Sequence, residues 1–192
     1  MARLKKGERR QQILQALAMM LEDPKSEKIT TAALAARLDI SEAALYRHFA
    51  SKAQMFEGLI EFIETSIFGV INRICDNEER GLIQTQQIAI LLLGFAEKNR
   101  GMTKVIIGDA LINENPRLAQ RMNHFFDRIE LTLRQCMRLA ATQESHIHEA
   151  DALIRSSLLM NSLVGRMARF VKSGFKQSPT AGIQEQIGFI LS

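Results

Sequence analysis

Residues 29–52 read ITTAALAARLDISEAALYRHFASK and contain one helix start twice over. In each copy an Ile precedes a Thr or Ser, and a Leu follows four residues after the hydroxyl. Thr30 stands where an N-cap belongs. Its hydroxyl accepts a hydrogen bond from a backbone N–H that has no partner inside the helix, while Ile29 and Leu34 close over it as a hydrophobic staple. Ser41 repeats the arrangement with Ile40 and Leu45. Leu38, Asp39 and Ile40 leave room only for a tight turn, and Asp39 is of a residue type that tolerates turn dihedrals. Two short helices joined this closely form a helix-turn-helix.

The second helix, read as residues 42–49, buries Leu45 and Phe49 at a spacing of four. That turns Glu42, Ala43 and Arg47 outward, with Tyr46 and His48 at the flanks. Small residues at its start let the backbone approach the floor of a major groove, and the polar groups at its end reach phosphate oxygens. Ser51, Lys52, Ala53 and Gln54 then open the next helix as a capping box whose N–H groups and lysine suit one more phosphate. Thr30, Ser41, Tyr46, His48 and Lys52 are therefore expected on the DNA backbone, Glu42, Ala43 and Arg47 toward the groove, and Thr31 is expected in the same DNA-binding set. A helical hairpin without a ligand would share the turn. The caps, staples, basic side chains and capping box together favour nucleic acid.

The charge pattern agrees with this assignment. The 192 residues carry a net +4, all of it within residues 1–52, which hold ten Lys/Arg against six Asp/Glu; the remaining 140 are balanced at fifteen of each. This is the footprint of a phosphate-facing module on a neutral body. Three prolines and no tryptophan, with abundant Leu, Ala, Ile, Met, Arg and Glu, favour an all-α protein.

Ahead of the motif, Arg3, Lys5, Lys6, Arg9 and Arg10 precede the apolar run 13–21. A signal peptide would also begin this way, but Gln15 interrupts the run and Glu22, Asp23 and Pro24 follow it without a cleavage site. Read as a helix, Ile13, Leu14, Leu17, Met20 and Leu21 share a stripe, which makes this the first of three helices. The basic residues before it are then either a DNA-reaching arm or a solubilising tail.

After the motif, a stripe from Phe56 through Leu59, Ile60, Ile63, Ile67, Val70 and Ile71 to Ile74 predicts one long helix from Lys52 to about Asp76. A polar connection, 76–81, follows it. Residues 88–96 carry no polar side chain, and nine is far below the ~20 that span a bilayer, so they are expected to form a helix buried on all sides. Asn99 to Gly101 marks a stop, Gly108 ends a short helix, and Asn115-Pro116 starts a long one to about Ala141. The next helix, residues 149–173, is closed by Gly174 and has two apolar faces. Leu153, Ile154, Leu158, Val164, Met167 and Val171 form one, and Leu159, Met160, Leu163 and Phe170 the other. With Ile183, Ile187, Ile190 and Leu191 of a final helix, a second face predicts a homodimer through a four-helix bundle, the alternative being a monomer with a larger core.

Catalytic patterns are missing from the sequence: it has no phosphate-binding glycine loop, nucleophile elbow or zinc-protease motif. Cys75 and Cys136 lie on apolar stripes without metal-ligand spacing and are expected to be reduced core thiols. His146 and His148 are expected in a surface loop, and His124 as a solvated or hydrogen-bonded side chain. The methionines are expected to be core filler. The expectations are thus no enzyme, no metal and no cofactor.

The string ending LYRHFASK, followed by a long amphipathic helix, is similar to the N-terminal DNA-binding domain of the TetR family. SEAALYRHFASKAQMFEGLIEFIE and LLLGFAEKNRGMTKVIIGDAL resemble the branch of that family that blocks division over the nucleoid. The likeness is strongest over residues 29–64 and 91–111. It implies a three-helix DNA-binding domain at 1–51 and a helical dimerisation and partner-binding domain at 52–192, in a cytoplasmic, nucleoid-associated protein. It further implies binding to palindromic double-stranded sites and capture of the C-terminal tail of the tubulin-like cell-division GTPase. In such relatives the tail lies between helices four and five, and the matching positions here are Phe62, Leu91, Gly94, Lys98 and Asn99. Two positions depart from the pattern. Lys98 stands where relatives carry Arg, losing the planar fork for a carboxylate, and Val70 stands where they carry Arg, with Arg73 three residues on as a substitute charge. The alternative within the family is a ligand-sensing repressor with an apolar cavity in the body.

Overall fold

The computed structural model describes residues 6–23, 29–145 and 147–191, with the side chain of Lys6 excepted. Arg3, Lys5, Pro24 and His146 lie outside the described residues. All regular structure among those described is helical: α1 (Lys6–Leu21), α2 (Thr31–Arg37), α3 (Glu42–Tyr46), α4 (Lys52–Asn77), α5 (Gly81–Lys98), α6 (Arg100–Ile106), a 3-10 turn (Asp109–Leu111), α7 (Pro116–Gln143), α8 (Glu149–Lys172) and α9 (Ile183–Leu191). The all-α expectation holds.

The first three helices form a small head. Ile13, Leu17 and Leu21 of α1, Leu34 of α2, Leu45 of α3 and Phe49 meet in its core. Two sequence expectations are corrected here. The α1 helix begins at Lys6, so Arg9 and Arg10 are helical rather than part of an arm. And α3 ends at Tyr46 instead of Phe49, because the His48 and Phe49 N–H groups both turn back to the Leu45 carbonyl. That turn drops Phe49 into the core, where the Arg10 guanidinium lies 4.1 Å over its ring.

Helix α4 carries the head into the body, where it packs on α5 and α7. Its stripe is wider than the sequence spacing suggested, since Met55 and Phe68 are buried as well. Phe68 meets Phe125 edge-on at 5.5 Å and lies 3.7 Å under the Arg128 guanidinium. Arg121 of α7 grips Glu64 of α4 through both carboxylate oxygens, a fork that fixes the two helices in register.

Helix α5 corrects the third expectation. It is surrounded by α4, α6, α7, α8 and α9, yet Ile90 is 42% exposed and Leu91, Gly94 and Phe95 are half-buried. One stripe of an otherwise apolar helix therefore faces out. The α7 helix runs on to Gln143, because that side chain accepts the Gly81 N–H at the start of α5 and donates to the Glu79 carbonyl. At the far end of α8, Gly174 and Phe175 both take positive φ, and the Phe175 N–H closes on the Phe170 carbonyl in a Schellman turn.

The two faces of α8 also need correction. Met167 and Val171, grouped with Leu158 on one face, are buried in this chain, and so is Leu163 of the other face, at 0% exposed, so neither face as read from the sequence is left open whole. The face left open is narrower and made of Leu153, Ile154 and Leu158, each more than half exposed. On α9, Ile183, Ile187 and Leu191 turn into the chain's own core. Both cysteines are free. Burial, and then the neighbouring Cys75 thiol, push the Cys136 thiol up to about 12.

Candidate nucleic-acid interface and the groove beside it

Helices α2, α3 and α4 are each started by a hydroxyl. Thr30 Oγ1 accepts the Ala33 N–H at 3.1 Å, Ser41 Oγ the Ala44 N–H at 3.1 Å, and Ser51 Oγ the Gln54 N–H at 3.2 Å. Acting as an acceptor leaves each hydroxyl hydrogen free to donate, and Thr30 and Ser41 are exposed. The turn between α2 and α3 places Asp39 at φ 52, the left-handed conformation its residue type tolerates. The Gln54 side chain accepts the Ala50 N–H at 2.8 Å, which completes a capping box one residue further back than usual.

The outward side of α3 presents Glu42, Ala43, Tyr46 and Arg47, all exposed. Three of the predicted residues are joined by hydrogen bonds: Thr31 Oγ1 donates to Glu42 Oε2 at 2.7 Å, and the Tyr46 hydroxyl lies 3.4 Å from the same Thr31 oxygen. His48 is half-buried and its carbonyl accepts from Arg10 at 3.0 Å. Its Nδ1 is buried without a partner. The Lys52 ammonium turns toward the body, pairing with Glu114 beside the Phe56 ring. Sequence reasoning missed Arg10 and Glu114. Neither has a local signal, since their partners lie 38 and 62 residues away.

The seven groove positions lie on α4, on α5 and at the cap that ends α5, and the structure divides them into three groups. Phe62, 51% exposed, and Asn99 line a cavity of about 500 Å³ whose other walls come from α1 and from Met102 of α6. Val70 and Arg73 border a shallower cleft of about 250 Å³ near the end of α4. Leu91, Gly94 and Lys98 form the open stripe of α5, with Lys98 exposed. A Cβ built on Gly94 meets nothing within 4 Å, so the backbone there lies bare. Asn99 donates to the Phe95 carbonyl at 2.8 Å, and Arg73 Nε to the Gly69 carbonyl at 3.2 Å. Among the described residues, no group of three or more His, Cys, Asp or Glu is placed to hold a metal ion, and no helix is long and apolar enough to cross a membrane.

A helix-turn-helix head on a long connecting helix with an all-helical body is the build of a TetR-type DNA-binding regulator. Residues 13–59 match the bacterial regulatory proteins of the tetR family, and residues 79–192 the SlmA-like tetracyclin repressor-like C-terminal domain. Among solved structures, the chain is similar to a TetR-like transcriptional regulator from Rhodococcus sp. RHA1, with a TM-score of 0.74 at 19% identity, covering 99% of this chain and 95% of that one. FadR from Bacillus subtilis in complex with stearoyl-CoA gives a TM-score of 0.74 at 13% identity, covering 95% and 97%. These two establish the fold alone.

The sequence relatives are more specific. The chain is 50% identical over 186 residues to the nucleoid occlusion factor SlmA of Vibrio cholerae serotype O1, covering 96% of this chain and 95% of that one. It is 49% identical over 190 residues to the nucleoid occlusion factor SlmA of Shewanella pealeana, covering 99% and 96%. The chain belongs to the SlmA family of nucleoid occlusion factors within the TetR family.

Proposed function

We propose that this nucleoid occlusion factor binds palindromic double-stranded DNA as a homodimer and, from there, captures the C-terminal tail of the tubulin-like division GTPase, FtsZ, so that its filaments do not assemble over the chromosome. On this reading residues 1–51 form the DNA-reading unit and 52–192 the dimerisation and partner-binding unit, and the protein is cytoplasmic and nucleoid-associated. It works as a regulator that binds, with no enzymatic step. Thr30, Ser41, Tyr46, His48 and Lys52 serve the DNA backbone, Glu42, Ala43 and Arg47 the bases, and Thr31 belongs to the same interface.

The observation that carries the partner reading is the bare backbone at Gly94. Glycine in a helix interior costs roughly 1 kcal/mol in propensity, and no neighbouring helix uses the space it leaves. An extended peptide lying there would rest apolar side chains on Leu91 and Phe62, and Lys98, four residues on, would meet an acidic side chain. Val70 and Arg73 border a separate cleft with Gln87 of α5, and Asn99 lies where α5 ends. Lys98→Glu is therefore expected to abolish binding of the GTPase's tail peptide and to leave operator binding intact. Fluorescence anisotropy with labelled tail peptide, with and without operator DNA, checks this. Tail binding by neither form of the wild-type protein would favour the ligand-responsive repressor instead.

A further inference from the structure

We infer that Glu42 is the base-reading acceptor of this chain, held for that task by the Thr31 hydroxyl, and that each DNA half-site must present a cytosine amino group to the first turn of α3. The inference rests on the reading of α3 as the recognition helix. With only five residues, that helix has few groups to offer a groove: Ala43 presents a methyl, Glu42 two acceptor oxygens, and Tyr46 and the following Arg47 their donors. Among these exposed groups Glu42 is the one acceptor-only side chain.

Its carboxylate is already placed. Thr31, the first residue of α2, donates to Oε2 at 2.7 Å, and the Tyr46 hydroxyl stands 3.4 Å from the Thr31 oxygen, so a short relay runs from the far end of α3 back to its start. The Thr30 cap fixes the backbone from which Thr31 projects. An exposed glutamate otherwise samples many rotamers, and a group ordered before binding loses less entropy on docking.

A carboxylate is also a poor backbone ligand, because every phosphate repels it. In the major groove guanine offers N7 and O6, both acceptors, and thymine offers O4 and a methyl; all are unfavourable to a second acceptor. Adenine offers an amino group with an acceptor beside it. Cytosine offers its N4 amino group alone, which makes it the best match. The carboxylate thus gives up affinity for DNA in general and gains discrimination, much of it through what it repels.

The test is selection of bound sites from a randomised pool, followed by sequencing, with the full-length wild type, Glu42→Gln, Thr31→Val and Thr31→Ser. Wild type is expected to require cytosine at one position of each half-site. A glutamine amide can both donate and accept, so Glu42→Gln should move that position from cytosine to adenine, changing the ratio about tenfold. Thr31→Val should keep cytosine but lose several-fold of the discrimination, and Thr31→Ser, which retains the hydroxyl, should restore it. Thermal melting identifies any variant that has lost its fold. An unchanged preference at every position in a folded Glu42→Gln, with affinity altered equally for all sequences, would overturn the inference and leave the DNA-binding reading intact. A wild type that prefers no sequence would overturn both.

Discussion

Lys52 shows how one side chain can answer to two anions. At the first position of α4 it is expected from sequence to meet a phosphate, and its ammonium pairs with Glu114, a carboxylate of the body, both side chains being largely shielded from solvent. On the proposed DNA-binding reading, a phosphate and Glu114 would compete for the same charge. Lys52→Ala is expected to weaken binding to all sequences and to reduce the salt slope by roughly one unit. Glu114→Gln removes the competitor and is expected to tighten DNA binding a few-fold, an effect absent in the Lys52→Ala background. Titrations of a fixed operator across salt concentrations measure both. A Glu114→Gln protein that binds DNA more weakly would mean that Glu114 positions Lys52 for the phosphate instead of withholding it.

Between elements, α6 lies very close on α1. A Cβ on Gly101 would stand 1.9 Å from the Ala18 carbonyl oxygen and 3.1 Å from the Leu21 side chain, so α6 lies directly on the backbone of the head's first helix. No side chain fits there unless a helix moves. Overpacking of this kind typically costs about 1–3 kcal/mol, and here backbone rather than a flexible side chain would have to yield. Gly101→Ala is therefore expected to lower stability by at least that amount in urea unfolding followed by circular dichroism. A midpoint unchanged from wild type would show that the two helices separate freely. Nothing in the local sequence signals this contact. The Asn99-Arg100-Gly101 pattern reads as a helix stop, and Asn99 does end α5, but the following residue starts α6 at once.

At the scale of the whole molecule, the open face of α8 is the surface proposed to pair with a second copy of the chain. Leu158 is 56% exposed beside Leu153 and Ile154, whereas Leu163, on the same helix, is 0% exposed. A clustered apolar face of this kind marks an interface. Leu158→Glu places a carboxylate in that face twice over in a symmetric pair, so it is expected to give a folded monomer that binds a palindrome poorly. Leu163→Glu buries the same charge inside one chain and is expected to unfold it. Light scattering with circular dichroism separates the two, and a wild type already monomeric at high micromolar concentration would remove the dimer from the account.

What the sequence determined by itself was whatever short-range chemistry controls. Thr30, Ser41, Ser51 and Asn115 act within three residues of themselves, as does the left-handed Asp39, so the starts of α2, α3, α4 and α7 and the turn between α2 and α3 were legible from spacing. The apolar stripes of α4 and α7 were legible for the same reason. The proposed docking positions, such as Phe62 and Gly94, came from resemblance, since no spacing rule marks them. Tertiary structure alone decided which apolar residues stay uncovered. Periodicity reports that a face is apolar but does not reveal whether a neighbouring helix covers it. That is why α5, expected to be buried all round, keeps an open stripe at Ile90, Leu91 and Gly94, and why Met167 and Val171 turned inward while Leu158 did not. Long-range pairs such as Lys52 with Glu114, Arg10 with His48 and Arg121 with Glu64 were invisible for a related reason. A charge or donor is complete in the sequence, but its partner is chosen only when the helices pack.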